Sequence, residues 1–106
     1  MKPEKSALLI GMAWLACITA SHAQDAQILR TRSLAATCGQ CHGTDGHAVE
    51  GAAVPGLAGL PAGYLAEQMS AFKSGARPAT VMHQIARGYS DAQIDQLARY
   101  FAAQPK

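Results

Sequence analysis

Apolar residues recur at helical rather than strand spacing through most of this chain. Between residues 24 and 37, Ile28, Leu29, Leu34 and Ala36 fall on one side at roughly 3.6-residue intervals, and Asp25 suits a first helical turn. From Tyr64 to Ser74 the stripe is Leu65, Met69 and Phe72, with Gln68 beside it; Pro61 leads in and Gly75 ends it. Ala76 to Val81 is a connector holding Arg77-Pro78. Val81 to Arg87 is a short helical segment stopped by Gly88. Ser90-Asp91-Ala92-Gln93 has the form of a capping box, with Ser90 as N-cap and Gln93 at the third helical position. The helix it starts runs from Asp91 to about Ala103, buries Ile94, Leu97, Ala98 and Phe101, and stops before Pro105.

No stretch alternates with a period of two, so the pattern predicts an all-α fold with three main helices and one short helical segment. Residues 43–63 interrupt it. Glycines at 43, 46, 51, 56, 59 and 63 forbid a long helix there. Their spacing fits neither a phosphate-binding P-loop nor the dinucleotide GxGxxG pattern. Gly56-Leu57-Ala58-Gly59 has the outline of an RNA-clamping GxxG loop, without the domain such a loop needs. Glycines here are expected to let the backbone pass close to a flat ligand. His47 and Glu50 are expected to be solvated.

The first 23 residues read differently. Lys2 and Lys5 supply a positive start, Ala7 to Ile18 an apolar run too short for a comfortable membrane span, and Ser21-His22-Ala23 a small-x-small cleavage site. The expectation is a secretory signal over 1–23, a domain over 24–106 and a periplasmic location. Cys17 falls within the apolar run and leaves with it. Its alternative is a lipidated cysteine after Leu15-Ala16, which Trp14 disfavours.

Without that segment the chain carries seven Lys or Arg side chains against six Asp or Glu, a net +1. There is no basic stripe, which argues against nucleic-acid binding. About 83 residues with a glycine-rich middle make a thin core, so a bound group is expected to complete it.

Cysteine chemistry says which group. Two cysteines remain, in Cys38-Gly39-Gln40-Cys41-His42, and C-x-x-C-H is the attachment pattern for c-type haem. Thiols three residues apart lie within one helical turn and reach two vinyl groups on one porphyrin edge. The following imidazole then faces the iron as an axial ligand. Zinc would need two further ligands, and only His47 and His83 lie beyond His42. A thioredoxin-like dithiol would need a βαβ setting. A Cys38–Cys41 disulfide would close almost no loop. Leu34, one turn before Cys38, packs either on the ring edge or in the core.

A low-spin carrier needs a sixth iron ligand. Met82 follows a Pro-containing connector that can fold across the opposite haem face, and it is the preferred candidate. Met69, in an apolar stripe, reads as core filling; His83 is chemically competent. A thioether raises the reduction potential relative to imidazole.

The order helix, Cys38-x-x-Cys41-His42, glycine loop, Pro55-Gly56-Leu57, Met82 and terminal helix resembles class I cytochromes c over nearly the whole of 24–106. Tyr64 to Gln68, Phe72 to Arg77 and Met82 to Asp91 are similar to the cytochrome subunit of flavocytochrome c sulfide dehydrogenase, and almost as similar to one half of dihaem bacterial cytochromes. The resemblance implies one covalent haem c on Cys38 and Cys41, with His42 and Met82 axial. It also implies that the Pro55 carbonyl accepts from the second nitrogen of His42. Many such subunits carry two haems; this sequence has one attachment motif.

The resulting expectation is periplasmic one-electron transfer without enzymatic activity of its own. The expected partner is an FAD-containing sulfide dehydrogenase subunit, because few charges surround the attachment motif and a neutral rim suits a durable interface. The alternative partner is a terminal oxidase or other reductase served by a free shuttle. A peroxidase or gas-binding protein would need an open distal site, with His83 the nearest polar group.

Overall fold

The computed structural model describes residues 21–106. The expected signal segment lies outside the described residues apart from Ser21 to Ala23, which are helical. The chain divides into two compact units, the second being Thr31–Lys106. In the first, residues 21–30 are helical, and Ile28 and Leu29 are 52% and 63% exposed. The apolar face expected through these two residues is therefore not buried. Within the second unit, helical residues 31–36 (α1) bury Ala35 instead, with Leu34 half-buried against the same cluster. A small side chain makes the contact, which a pattern weighted by bulk overlooks.

The second unit continues with α2 (Gly39–His42), a single 3₁₀ turn (Thr44–Gly46), α3 (Ala62–Ser74), α4 (Met82–Arg87) and α5 (Asp91–Ala102). No strand occurs among the described residues, and none of their helices is long and apolar enough to cross a membrane. The all-α architecture is the expected one, with α3 and α5 the long helices of this unit and α4 the short segment.

The core is built on α5, which buries Ile94, Leu97, Ala98 and Phe101. Leu97, Ala98 and Phe101 of this stripe form one cluster with Ala35 of α1 and Leu65 of α3. The capping box forms: Gln93 N–H donates to Ser90 Oγ at 3.2 Å, and Ser90 N–H donates to Gln93 Oε1 at 2.9 Å. α3 begins at Ala62 because Pro61 serves as its N-cap, its carbonyl accepting from Leu65 N–H at 3.1 Å. It ends at Gly75, whose φ of 83° is left-handed. α3 packs against both α4 and α5.

Lys73 near the end of α3 ties these elements together. Its Nζ donates to the Tyr89 carbonyl and to the Asp91 carboxylate, both at 2.8 Å. The Lys73 hydrogen bond holds the Asp91 carboxyl below its usual range. Asp91 is fully solvated, so the pair contributes position more than energy.

Residues 43–61 are anchored by backbone. Gly46 is buried at φ 82°, and its carbonyl accepts from Leu57 N–H at 2.8 Å and Ala58 N–H at 3.2 Å. A Cβ there would sit 2.9 Å from both Ala58 N and the Phe101 ring. The close approach that requires glycine here is thus to α5 and to the chain itself. Gly46→Ala combines a left-handed φ with a backbone clash, and should cost about 3 kcal/mol or more. Thermal unfolding should then move down by roughly 10 °C or more; an unchanged midpoint would show that the turn relaxes freely.

His47 is exposed but tethered. Nε2 lies 2.7 Å from the Pro105 carbonyl and Nδ1 lies 3.2 Å from that of Thr44. A neutral ring donates only one of these two bonds. The tail past α5 is held by this side chain, a tether beyond the solvated role expected from the sequence. Asp45, at φ 53°, accepts from the Tyr100 hydroxyl, and that bond raises the tyrosine's pKa.

Candidate cofactor site around Cys38 and His42

α1 runs into Cys38, which is the N-cap of the four-residue α2. Cys41 N–H and His42 N–H both point back to the Cys38 carbonyl, at 3.3 and 3.0 Å. The turn places both sulfurs and the imidazole on the wall of one cavity of about 290 Å³. Cys38 is half-buried and Cys41 exposed, and no disulfide joins them. Burial pushes the Cys38 thiol up, against a smaller opposing effect of Thr37. That environment penalises a thiolate and tolerates an uncharged thioether. No group of three or more His, Cys, Asp or Glu among the described residues could hold a metal ion.

His42 is oriented from its far side. Nδ1 lies 2.7 Å from the Pro55 carbonyl oxygen, 13 positions along the chain. A carbonyl only accepts, so Nδ1 carries a proton, and in the neutral ring the lone pair is then on Nε2. Pro55 also lines the cavity. The glycine loop thus sets the imidazole tautomer.

The remaining walls come from α3, α4 and α5. Tyr64, Val81 and Ile85 line the cavity while remaining 48%, 55% and 41% exposed. Three large side chains left open around one hollow are what a flat apolar group would cover. Together with two thiols and an imidazole whose free nitrogen can bind iron, these walls fit a covalently attached porphyrin.

Both candidate thioethers are on the wall, Met82 as the first residue of α4 and Met69 in mid-α3. Met69 is half-buried, not core filling: its stripe, Leu65, Met69 and Phe72, faces the cavity. His83 is not on that wall, and its Nδ1 is buried with no hydrogen-bond partner. Leu34 belongs to the core cluster rather than to the cavity.

Sequence reasoning missed three polar wall residues. Arg77 stacks its guanidinium 4.6 Å from the centre of the Phe72 ring and donates to Gln68 Oε1. It is the one Lys, Arg, Asp or Glu on the wall among the described residues. Its place after the Phe72 stripe was the available signal. Thr37 and Tyr89 meet hydroxyl to hydroxyl at 2.8 Å, 52 positions apart. No local pattern encodes that pairing.

Comparison with known proteins agrees with this geometry. The family model "Cytochrome c" matches residues 30–104. The thiosulfate dehydrogenase electron acceptor of Stutzerimonas stutzeri is 37% identical over 101 residues, covering 92% of this chain and 47% of that protein. The cytochrome subunit of sulfide dehydrogenase from Chlorobaculum tepidum is 36% identical over 72 residues, covering 68% of this chain and 64% of the relative. This chain therefore spans less than two thirds of either relative. The solved structure of Acidithiobacillus ferrooxidans cytochrome c4 superimposes with a TM-score of 0.58 at 38% identity, covering 62% of this chain and 37% of that one. This chain belongs to the cytochrome c family, as an all-α class I electron-transfer protein whose cofactor is a covalently bound haem c.

Proposed function

We propose that the chain is an exported one-electron carrier that takes electrons from a dehydrogenase acting on reduced inorganic sulfur. Cys38 and Cys41 would hold the haem, His42 and Met82 would ligate its iron, and the Pro55 carbonyl would hold the His42 ring. The observation that carries this reading is the 2.7 Å contact between His42 Nδ1 and the Pro55 oxygen beside the two cysteines, on a cavity that Met82 also lines. When bound, the haem supplies an iron that gains or loses one electron. The protein's part is to hold the His42 ring through its Nδ1, to bring a thioether to the cavity, and to exclude water with Leu57, Leu97 and Phe101. Arg77 is the cation on the wall that can balance haem carboxylates.

Relatives named as an acceptor for thiosulfate dehydrogenase and as a cytochrome subunit of sulfide dehydrogenase support the sulfur-linked donor. The surface at the attachment turn is sparsely charged. Gln40 and Cys41 are exposed there, and the exposed run from Val49 to Ala53 has Glu50 as its single charge. Such a rim suits a durable interface, which favours docking to an FAD-containing sulfide dehydrogenase subunit. The 37% identity to a thiosulfate dehydrogenase acceptor favours the second donor, thiosulfate dehydrogenase.

Stopped-flow measurement of haem reduction separates the two. The oxidised holoprotein is mixed with the flavoprotein and sulfide, or with thiosulfate dehydrogenase and thiosulfate. Fast reduction by the flavoprotein that persists at high salt is the expected result. Fast reduction by the thiosulfate enzyme alone moves the assignment to the second donor. If neither enzyme accelerates reduction over its substrate alone, the sulfur-linked reading is lost.

A further inference from the structure

We propose that the hydroxyl pair Tyr89–Thr37 is a latch holding the Met82-bearing segment closed against the attachment turn, with Tyr89 a positioning residue for the sixth ligand. This rests on the reading of Met82 as an iron ligand.

The direction of the bond follows from its neighbours. Thr37 Oγ1 donates to the Leu34 carbonyl at 2.8 Å, which uses its proton. It therefore accepts from the Tyr89 hydroxyl, 2.8 Å away. Thr37 precedes Cys38 directly, and both Thr37 and Tyr89 line the cavity. On the other side, Tyr89 is fastened to α4: its N–H donates to the Ala86 carbonyl at 3.2 Å, within the last turn of that helix. Its own carbonyl is held by Lys73 Nζ. One residue thus joins α4, the end of α3 and the elbow that aims Cys38.

α4 needs such a fastening. It is six residues long, shorter than helices that hold themselves together in water, and its N-cap Val81 makes no side-chain capping bond. It packs on α3. The Tyr89 hydroxyl carries the tie from the C-terminal end of α4 across to the cysteine side of the cavity. A phenylalanine would fill the same wall, so the oxygen is there for the bond. Breaking it lets α4 swing outward, and the Met82 thioether leaves with it.

Exogenous imidazole reads this opening, because it binds ferric haem only when the sixth ligand has left. Its apparent affinity scales with the open fraction. In the holoprotein, Tyr89→Phe and Thr37→Val should each tighten imidazole binding roughly 3- to 10-fold, the range for one neutral hydrogen bond. The double variant should exceed neither single one, and Thr37→Ser should bind as the unsubstituted protein does. Thr37→Val also serves as the test if Tyr89→Phe folds poorly. A purely structural role lowers the melting temperature without moving imidazole affinity, and that result overturns the latch. Additive effects in the double variant overturn the pairing as well. Met82→Ala separates the two claims. If it binds imidazole no more tightly than the unsubstituted protein, Met82 is not the ligand and the latch loses its purpose. If it binds far more tightly while Tyr89→Phe does not, the ligand stands and the latch falls.

Discussion

Replacing Cys38 and Cys41 together with serine is expected to abolish covalent haem attachment and to leave a chain that no longer unfolds cooperatively. The buried core explains the severity. Among the described residues its members are Ala35, Leu65, Ala86, Ile94, Leu97, Ala98 and Phe101, of which three are alanines, and Ile94 is the one large side chain that is fully buried. Tyr64, Val81 and Ile85 stay open around the cavity, as do the inner faces of Met69 and Phe72. Each large apolar side chain left uncovered forgoes up to about 1.5–3 kcal/mol. Several together match the whole stability of a small domain, roughly 5–15 kcal/mol. The backbone of the glycine loop depends on the same centre, since Pro55 bonds His42. Mass spectrometry of the protein made in a host that attaches haem c should show one haem on the unsubstituted chain and none on the double variant. Circular dichroism during heating should show a cooperative transition only in the former. A haem-free double variant with a sharp, native-like transition would show that protein packing alone sustains the fold.

Local chemistry was legible in the sequence, and long-range closure was not. The Ser90–Gln93 capping box, the Gly75 stop and the α5 stripe each depend on steps of no more than four positions along the chain. The Cys38–His42 turn is of this kind too, and so is its meaning, because the spacing is set by a porphyrin edge. Ala35 escaped notice because its contact depends on how close another helix comes. Gly46 lies in the loop expected to pass close to a flat ligand, yet its neighbours are Leu57, Ala58 and Phe101. His47 meets Pro105 58 positions on, and Thr37 meets Tyr89 across 52. Such pairings follow from the packed fold, and no periodicity carries them. The Pro55–His42 contact, which spans 13 positions, was reached through family resemblance rather than residue physics.

Met82→Ala is expected to remove the weak long-wavelength band of thioether–iron ligation. It should also lower the reduction potential on the order of 0.1 V, a modest part of the roughly 0.8 V that axial ligands span. A thioether favours ferrous iron, so its loss favours the ferric state. The structure makes Met69 the serious competitor, since both sulfur-bearing side chains line the cavity. What separates them is the freedom of their backbones. Met69 sits in the middle of the thirteen-residue α3, which is packed on α4 and α5. Moving its sulfur toward an iron would mean moving that helix. Met82 opens the short α4 after a connector that holds Arg77-Pro78, where the chain can adjust without breaking a long hydrogen-bond ladder. Met69→Ala should therefore keep the band and the potential. It should lose roughly 1–3 kcal/mol of stability, less than a fully buried methionine because the side chain is half-buried. Optical spectra, potentiometric titration and thermal melts of the two variants, side by side, make the comparison. If the band survives in Met82→Ala and disappears in Met69→Ala, the ligand is on α3, and the short helix serves only to roof the cavity.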